Sequence, residues 1–138
     1  MAAAPQGAKL RNGIRAFEWM QEQAQAQGVR LIVMFIPSID LVVGKSLQER
    51  GLPVAPMLAQ SPKGEVAQRE LFMEMFRRSG IEYVDALPAM VAAYDAALAQ
   101  NRQIYPPGDQ HPLEEGYAAY ARSLTDYLQQ HPQPEGSH

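Results

Sequence analysis

The chain has 138 residues and a formal net charge of -3, from 12 Lys and Arg against 15 Asp and Glu, with no cysteine. That length suits one domain able to bury roughly two thirds of the surface its unfolded chain would expose. The slight acidity offers no basic face for neutralising phosphates, which argues against a nucleic-acid partner, and the absent cysteines exclude disulfide scaffolds, thiolate-bound zinc, iron–sulfur clusters and thiol nucleophiles.

The longest apolar run, Val29 to Pro37 broken by Arg30, is far short of the roughly 20 residues a bilayer span requires, so no membrane span is expected. Met1-Ala2-Ala3-Ala4-Pro5 lacks the basic segment and apolar stretch of a secretion signal. The chain reads as soluble with its compartment unknown, and a periplasmic or secreted full-length protein would need its leader outside these residues.

Residues 1–8 are expected to be a disordered N-terminus. From Lys9 to Gln27, Leu10, Ile14, Phe17, Met20 and Ala24 recur at helical spacing, and Gly28 supplies a stop. Val29-Arg30-Leu31-Ile32-Val33-Met34-Phe35-Ile36, closed by Pro37, is too continuously apolar for a half-exposed strand and predicts one covered on both faces. Between Ser38 and Pro62, Gly44, Gly51, Pro53, Pro56 and Pro62 punctuate short apolar pieces, which predicts a long loop. A loop placed just past a strand's C-terminal end can line a substrate site or be a plain surface excursion.

A second helix is predicted from Lys63 to Ser79, with Leu71, Phe72, Met75 and Phe76 as its stripe and Gly80 as its stop. A short strand, Ile81 to Asp85, follows. Leu87, Met90, Val91, Tyr94 and Leu98 then mark a third helix, Asn101 to Pro112 an irregular stretch, and Leu113 onward a last helix carrying Tyr117, Leu124 and Leu128. Residues 131–138 read as a disordered polar tail, leaving 9–130 as a single domain. The alternation is that of an α/β protein with a parallel sheet. Two parallel strands bury little by themselves, so the sheet is expected to be completed by another chain or segment.

The segment Tyr105-Pro106-Pro107-Gly108-Asp109-Gln110-His111-Pro112 puts a carboxylate two residues before a histidine at the mouth of a helix. In a serine hydrolase a histidine takes the hydroxyl proton while a carboxylate holds its tautomer and stabilises the imidazolium. A short Asp-x-His turn can supply both partners. Equally, Asp109 can be a turn or capping residue and His111-Pro112 simply the opening of the helix.

This block resembles the last motif of the SGNH (GDSL-like) hydrolases and the related polysaccharide O-acetyltransferases: Asp and His in a loop, then a Gly, here Gly116, and an amphipathic helix. Gln27 to Ser38 looks like the family's fourth strand ending in a proline, and Gly80 to Asp85 like its fifth. The Asp-x-His spacing is similar to that of the acetyltransferase-like branch, whereas many members place the Asp three residues before the His. The family's Gly-Asp-Ser and Gly-x-Asn-Asp blocks are absent from the chain.

The resemblance implies the C-terminal half of a partial three-layer α/β/α flavodoxin-like SGNH fold, with parallel strands, flanking helices and the N-terminal strands missing. It implies His111 as general base and Asp109 as its orienting partner, with the nucleophilic serine supplied from a segment N-terminal to Met1, and therefore little activity in this chain alone. Its substrate would be a small ester or an O-acetylated glycan, with no cofactor and no metal. Ser38 at the end of the first strand, Lys45 in the long loop and Tyr105 beside the Asp109 loop are the candidate substrate-binding residues. Arg50 and Lys63 can bind an anionic sugar or merely solvate their loop. The other reading is a non-catalytic α/β module that pairs through its open sheet edge, giving either a homo-oligomer or a sheet completed by an N-terminal segment.

Overall fold

The computed structural model describes residues 5–133. The expectations for residues 1–4 and 134–138 lie outside these. Eight elements follow in order: α1 (Pro5–Ala26), β1 (Ile32–Phe35), α2 (Ile39–Glu49), α3 (Pro56–Gln60), α4 (Lys63–Ser79), β2 (Glu82–Asp85), α5 (Leu87–Ala99) and α6 (Glu114–Gln130). The protein is a mixed α/β chain, mostly helical, around a two-stranded parallel sheet.

β1 and β2 pair with Ile32 opposite Glu82 and Phe35 opposite Asp85. Side chains of a strand alternate between faces, and helices cover both. On one face Phe35 and Tyr83 meet Phe76 of α4, which in turn packs edge-on against Phe17 of α1 at 5.1 Å between ring centroids. On the other, Met34 packs against a cluster of Val42 from α2, Met90 and Val91 from α5, and Ala119 and Tyr120 from α6. Ile104 and Tyr105, from the connection between α5 and α6, belong to the same cluster.

Several expectations are corrected. Residues 5–8 belong to α1, because no proline after Pro5 interrupts the helix before Gly28. The long loop 38–62 is instead mainly helical. Ser38 caps α2, its hydroxyl accepting from Leu41 N at 3.3 Å, and Asp40 lies in the positive first turn. Leu41, Val42 and Ser46 bury one side of that helix. Ser46 is fully buried and donates to Asp95 Oδ1 of α5 at 2.5 Å. Gly44 is no interruption: it faces Leu58 of α3, where a Cβ would sit 3.4 Å from the Leu58 carbonyl oxygen.

At the other end the expected tail starts late. The His131 ring stacks on Tyr127 at 4.3 Å and its Nδ1 lies 3.0 Å from the Tyr127 carbonyl. Val29 and Leu31, expected in the first strand, precede its paired part, and Val29 is exposed. No helix among the described residues is long and apolar enough to cross a membrane.

Candidate active site

The candidate pair sits in the connection from α5 to α6. Asn101 takes a left-handed φ of 55° beyond the end of α5, and Arg102 N donates back to Ala97 O at 2.8 Å, turning the chain over the helix end. Ile104 and Tyr105 then sink into the core, 1% and 8% exposed. Leu113 N donates to Ile104 O at 2.6 Å, so the intervening residues close into a loop on a buried base. Arg102 forms an ion pair with Glu115, tying the loop's start to the first turn of α6.

Within the loop, Asp109 N donates to Pro106 O at 3.2 Å, and the turn needs Gly108 because its φ is 79°. Asp109 Oδ1 accepts from His111 N at 2.9 Å and lies 2.8 Å from His111 Nδ1. One carboxylate oxygen thus fixes both the backbone and the ring of the histidine. The His111 amide, foremost, and then its ring hold the Asp109 carboxyl below its ordinary value, so it is ionised at neutral pH. A carboxylate against Nδ1 assigns the ring proton to that nitrogen, which leaves the Nε2 lone pair outward and able to take a proton. The two side chains are open to solvent, His111 82% and Asp109 53% exposed.

An open pocket of about 460 Å³ adjoins Asp109, lined by Ile39, Tyr105, Pro106, Gly108 and Gln110 among others, and His111 is not part of its lining. Tyr105 and Asp109 are therefore brought together as expected from their nearness in sequence. Tyr105 is largely buried, its hydroxyl finds no partner among the described residues, and burial pushes its phenol far above the ordinary value, so it stays neutral.

Ser38 itself is committed elsewhere. Its hydroxyl donates to Glu65 Oε2 at 2.5 Å and its N–H to Glu65 Oε1 at 2.9 Å, while it caps α2. The neighbouring Ile39, not Ser38, lines the pocket beside Asp109. Lys45 is not brought to the pair: it is exposed on α2, 3.6 Å from Glu49, and lines a separate groove of about 520 Å³ with Lys63, Leu58, Glu70 and Leu87.

Arg69 and Glu65 escaped the sequence reading. They stand one helical turn apart on α4 and grip the corners after both strands. Glu65 holds the β1–α2 corner through Ser38. Arg69, 8% exposed, donates to Asp85 Oδ1 at 2.5 Å, and that oxygen also accepts from Leu87 N at the head of α5. Asp85 thus heads α5 and at the same time pairs with a buried guanidinium. Arg69 also lies 5.8 Å over the Phe35 ring, and its Nη1 has no hydrogen-bond partner among the described residues. The one signal in sequence is the four-residue spacing of Glu65 and Arg69, which puts them on one helix face without naming their partners. Among the described residues no three His, Cys, Asp or Glu stand close enough together to hold a metal ion.

Comparison with protein-family models, with curated proteins and with solved structures finds no match to this chain.

Proposed function

We propose that this chain is the C-terminal, base-bearing part of a serine esterase or acyltransferase of the SGNH type, its helices and two strands forming part of a flavodoxin-like α/β/α sandwich. The observation that carries the reading is the 2.8 Å contact of Asp109 Oδ1 with His111 Nδ1 in a loop whose backbone is pinned at both ends. His111 Nε2 removes the proton from a serine hydroxyl as that oxygen attacks an ester carbonyl. The imidazolium, stabilised by Asp109, then returns the proton to the departing alkoxide, and a second round with water or an acceptor alcohol releases the acyl group. Serine and oxyanion donors come from a segment outside these 138 residues, in keeping with the commitment of Ser38 to Glu65 and of Ser46 to Asp95. Small esters and O-acetylated glycans are the substrate class.

The test is capture of the native polypeptide with an antibody against residues 101–130, followed by labelling with a fluorophosphonate. A mass well above 15.3 kDa and a labelled serine outside the present chain are expected. An unlabelled product at that mass would overturn the reading. The second reading, a non-catalytic module pairing through its sheet edge, is favoured by the two-stranded sheet, in which each strand pairs only with the other among the described residues. It requires a stable dimer in sedimentation, and a folded monomer would count against it.

A further inference from the structure

Gly116 is a residue whose presence nothing in local conformation demands. It occupies the first turn of α6, where glycine weakens a helix relative to almost any other residue. Its φ is not positive, unlike those of Gly28, Gly51, Gly80 and Gly108, so a side chain would meet no backbone strain. The demand is spatial. A Cβ built on Gly116 would lie 2.3 Å from Cβ and 3.1 Å from Cγ of Pro112, and 3.4 Å from Cε of Met90. Atoms at the first of these distances cannot coexist, and the proline ring, unlike the flexible end of Met90, has no rotamer into which to retreat.

Pro112 follows directly on His111, and Leu113 after it is held by the buried Ile104 carbonyl. The proline is therefore confined between a fixed anchor and the bare backbone of α6. We infer that Gly116 is a positioning residue: the gap left by its missing side chain seats Pro112 on α6 and thereby sets His111 in register with the Asp109 carboxylate. The inference deepens the reading above and rests on it for its catalytic meaning, but the geometry it asserts is independent of any ester chemistry.

The pair reports its own geometry. With Nδ1 held on the carboxylate, the His111 ring nitrogens carry the shifts of the Nδ1–H tautomer, and Asp109 titrates below the usual aspartate range because it accepts from the His111 amide and ring. The experiment is multinuclear NMR of the purified chain, its fold checked by circular dichroism, comparing Gly116→Ala, Pro112→Gly and the double variant with the unaltered protein. Gly116→Ala is expected to move the ring-nitrogen shifts toward mixed tautomers and to raise the Asp109 titration midpoint toward that of an unpartnered aspartate. The double variant, which removes the atom that the new Cβ strikes, is expected to return both signals to the values of Pro112→Gly alone. If Gly116→Ala does not fold, the same restoration in a folded double variant supports the inference. A folded Gly116→Ala with unaltered signals, or a double variant that unfolds or whose signals differ from those of Pro112→Gly alone, would overturn it. These readouts need no substrate, so native signals in this chain together with a full-length polypeptide that lacks esterase activity would sink the catalytic reading and leave Gly116's role intact.

Discussion

Arg69 and Asp85 offer an asymmetry that can be worked out from the structure. The guanidinium is buried and the carboxylate side chain is 32% exposed, with 2.5 Å between them. Removing the carboxylate by Asp85→Ala strands a buried cation whose Nη1 already has no partner among the described residues. Breaking a buried pair this way costs about 3–5 kcal/mol. Asp85 is partly hydrated, so the lower end applies, and the lost acceptor for Leu87 N adds about 1 kcal/mol. Against a total stability of roughly 5–15 kcal/mol, a loss of about 4 kcal/mol is large. Arg69→Met differs: its stem can still pack on Phe35, the charge is gone, and Asp85 keeps both water and Leu87 N, so the expected loss is that of one hydrogen bond, about 1 kcal/mol. Adding Arg69→Met to Asp85→Ala should then recover about 2 kcal/mol, since no buried charge is left unpaired. Urea unfolding followed by circular dichroism measures all four proteins. Equal losses in the two single variants with an additive double would refute the reasoning.

Ser38→Ala removes the cap of α2 and the hydroxyl bond to Glu65 together, and should lower stability by about 1–2 kcal/mol in the same assay; no loss would mean that neither bond matters in solution. The hydrogen bond from Arg30, with that from Tyr127 helping, holds the Glu82 carboxyl below its ordinary value. A carboxyl depressed in the folded state contributes stability above its unfolded value, and that contribution is lost as pH falls through the folded one. Stability should therefore drop as pH falls below the ordinary glutamate value of 4.5, and Glu82→Gln should make this acid limb shallower. An unchanged acid limb in that variant would count against the ion pair.

The parts of the fold legible in sequence are those where hydrophobic spacing and punctuation agree. Helix α4 runs from Lys63 to Ser79 and stops at Gly80 as its stripe and glycine stop predict, and β2 follows at Glu82. Helix α2 was hidden because its punctuation misleads: Gly44 sits there for close approach to α3, and the polar Ser46 is a core residue satisfied by an aspartate 49 positions away. Pairing at such separation leaves no local trace. For the same reason Arg69 reads as an ordinary surface charge of an amphipathic helix, although it is buried against Asp85. The Asp109–His111 pair was legible because both groups lie in one turn, whose spacing alone brings them together. Gly116 was visible as part of the same block, but the reason for it is a clash with Pro112 that only three-dimensional placement exposes.

A histidine acting as the general base of the proposed acyl transfer can be replaced without unfolding the protein but not without losing the reaction, and His111→Ala in the native, full-length polypeptide puts both to the test. The side chain is 82% exposed, so His111→Ala should leave the unfolding midpoint within about 0.5 kcal/mol of the unaltered protein. Its kcat/KM on an acetyl ester should fall by at least about 10²-fold, the contribution expected of a positioned general base. A folded His111→Ala protein that cleaves the ester at an undiminished rate would contradict the account.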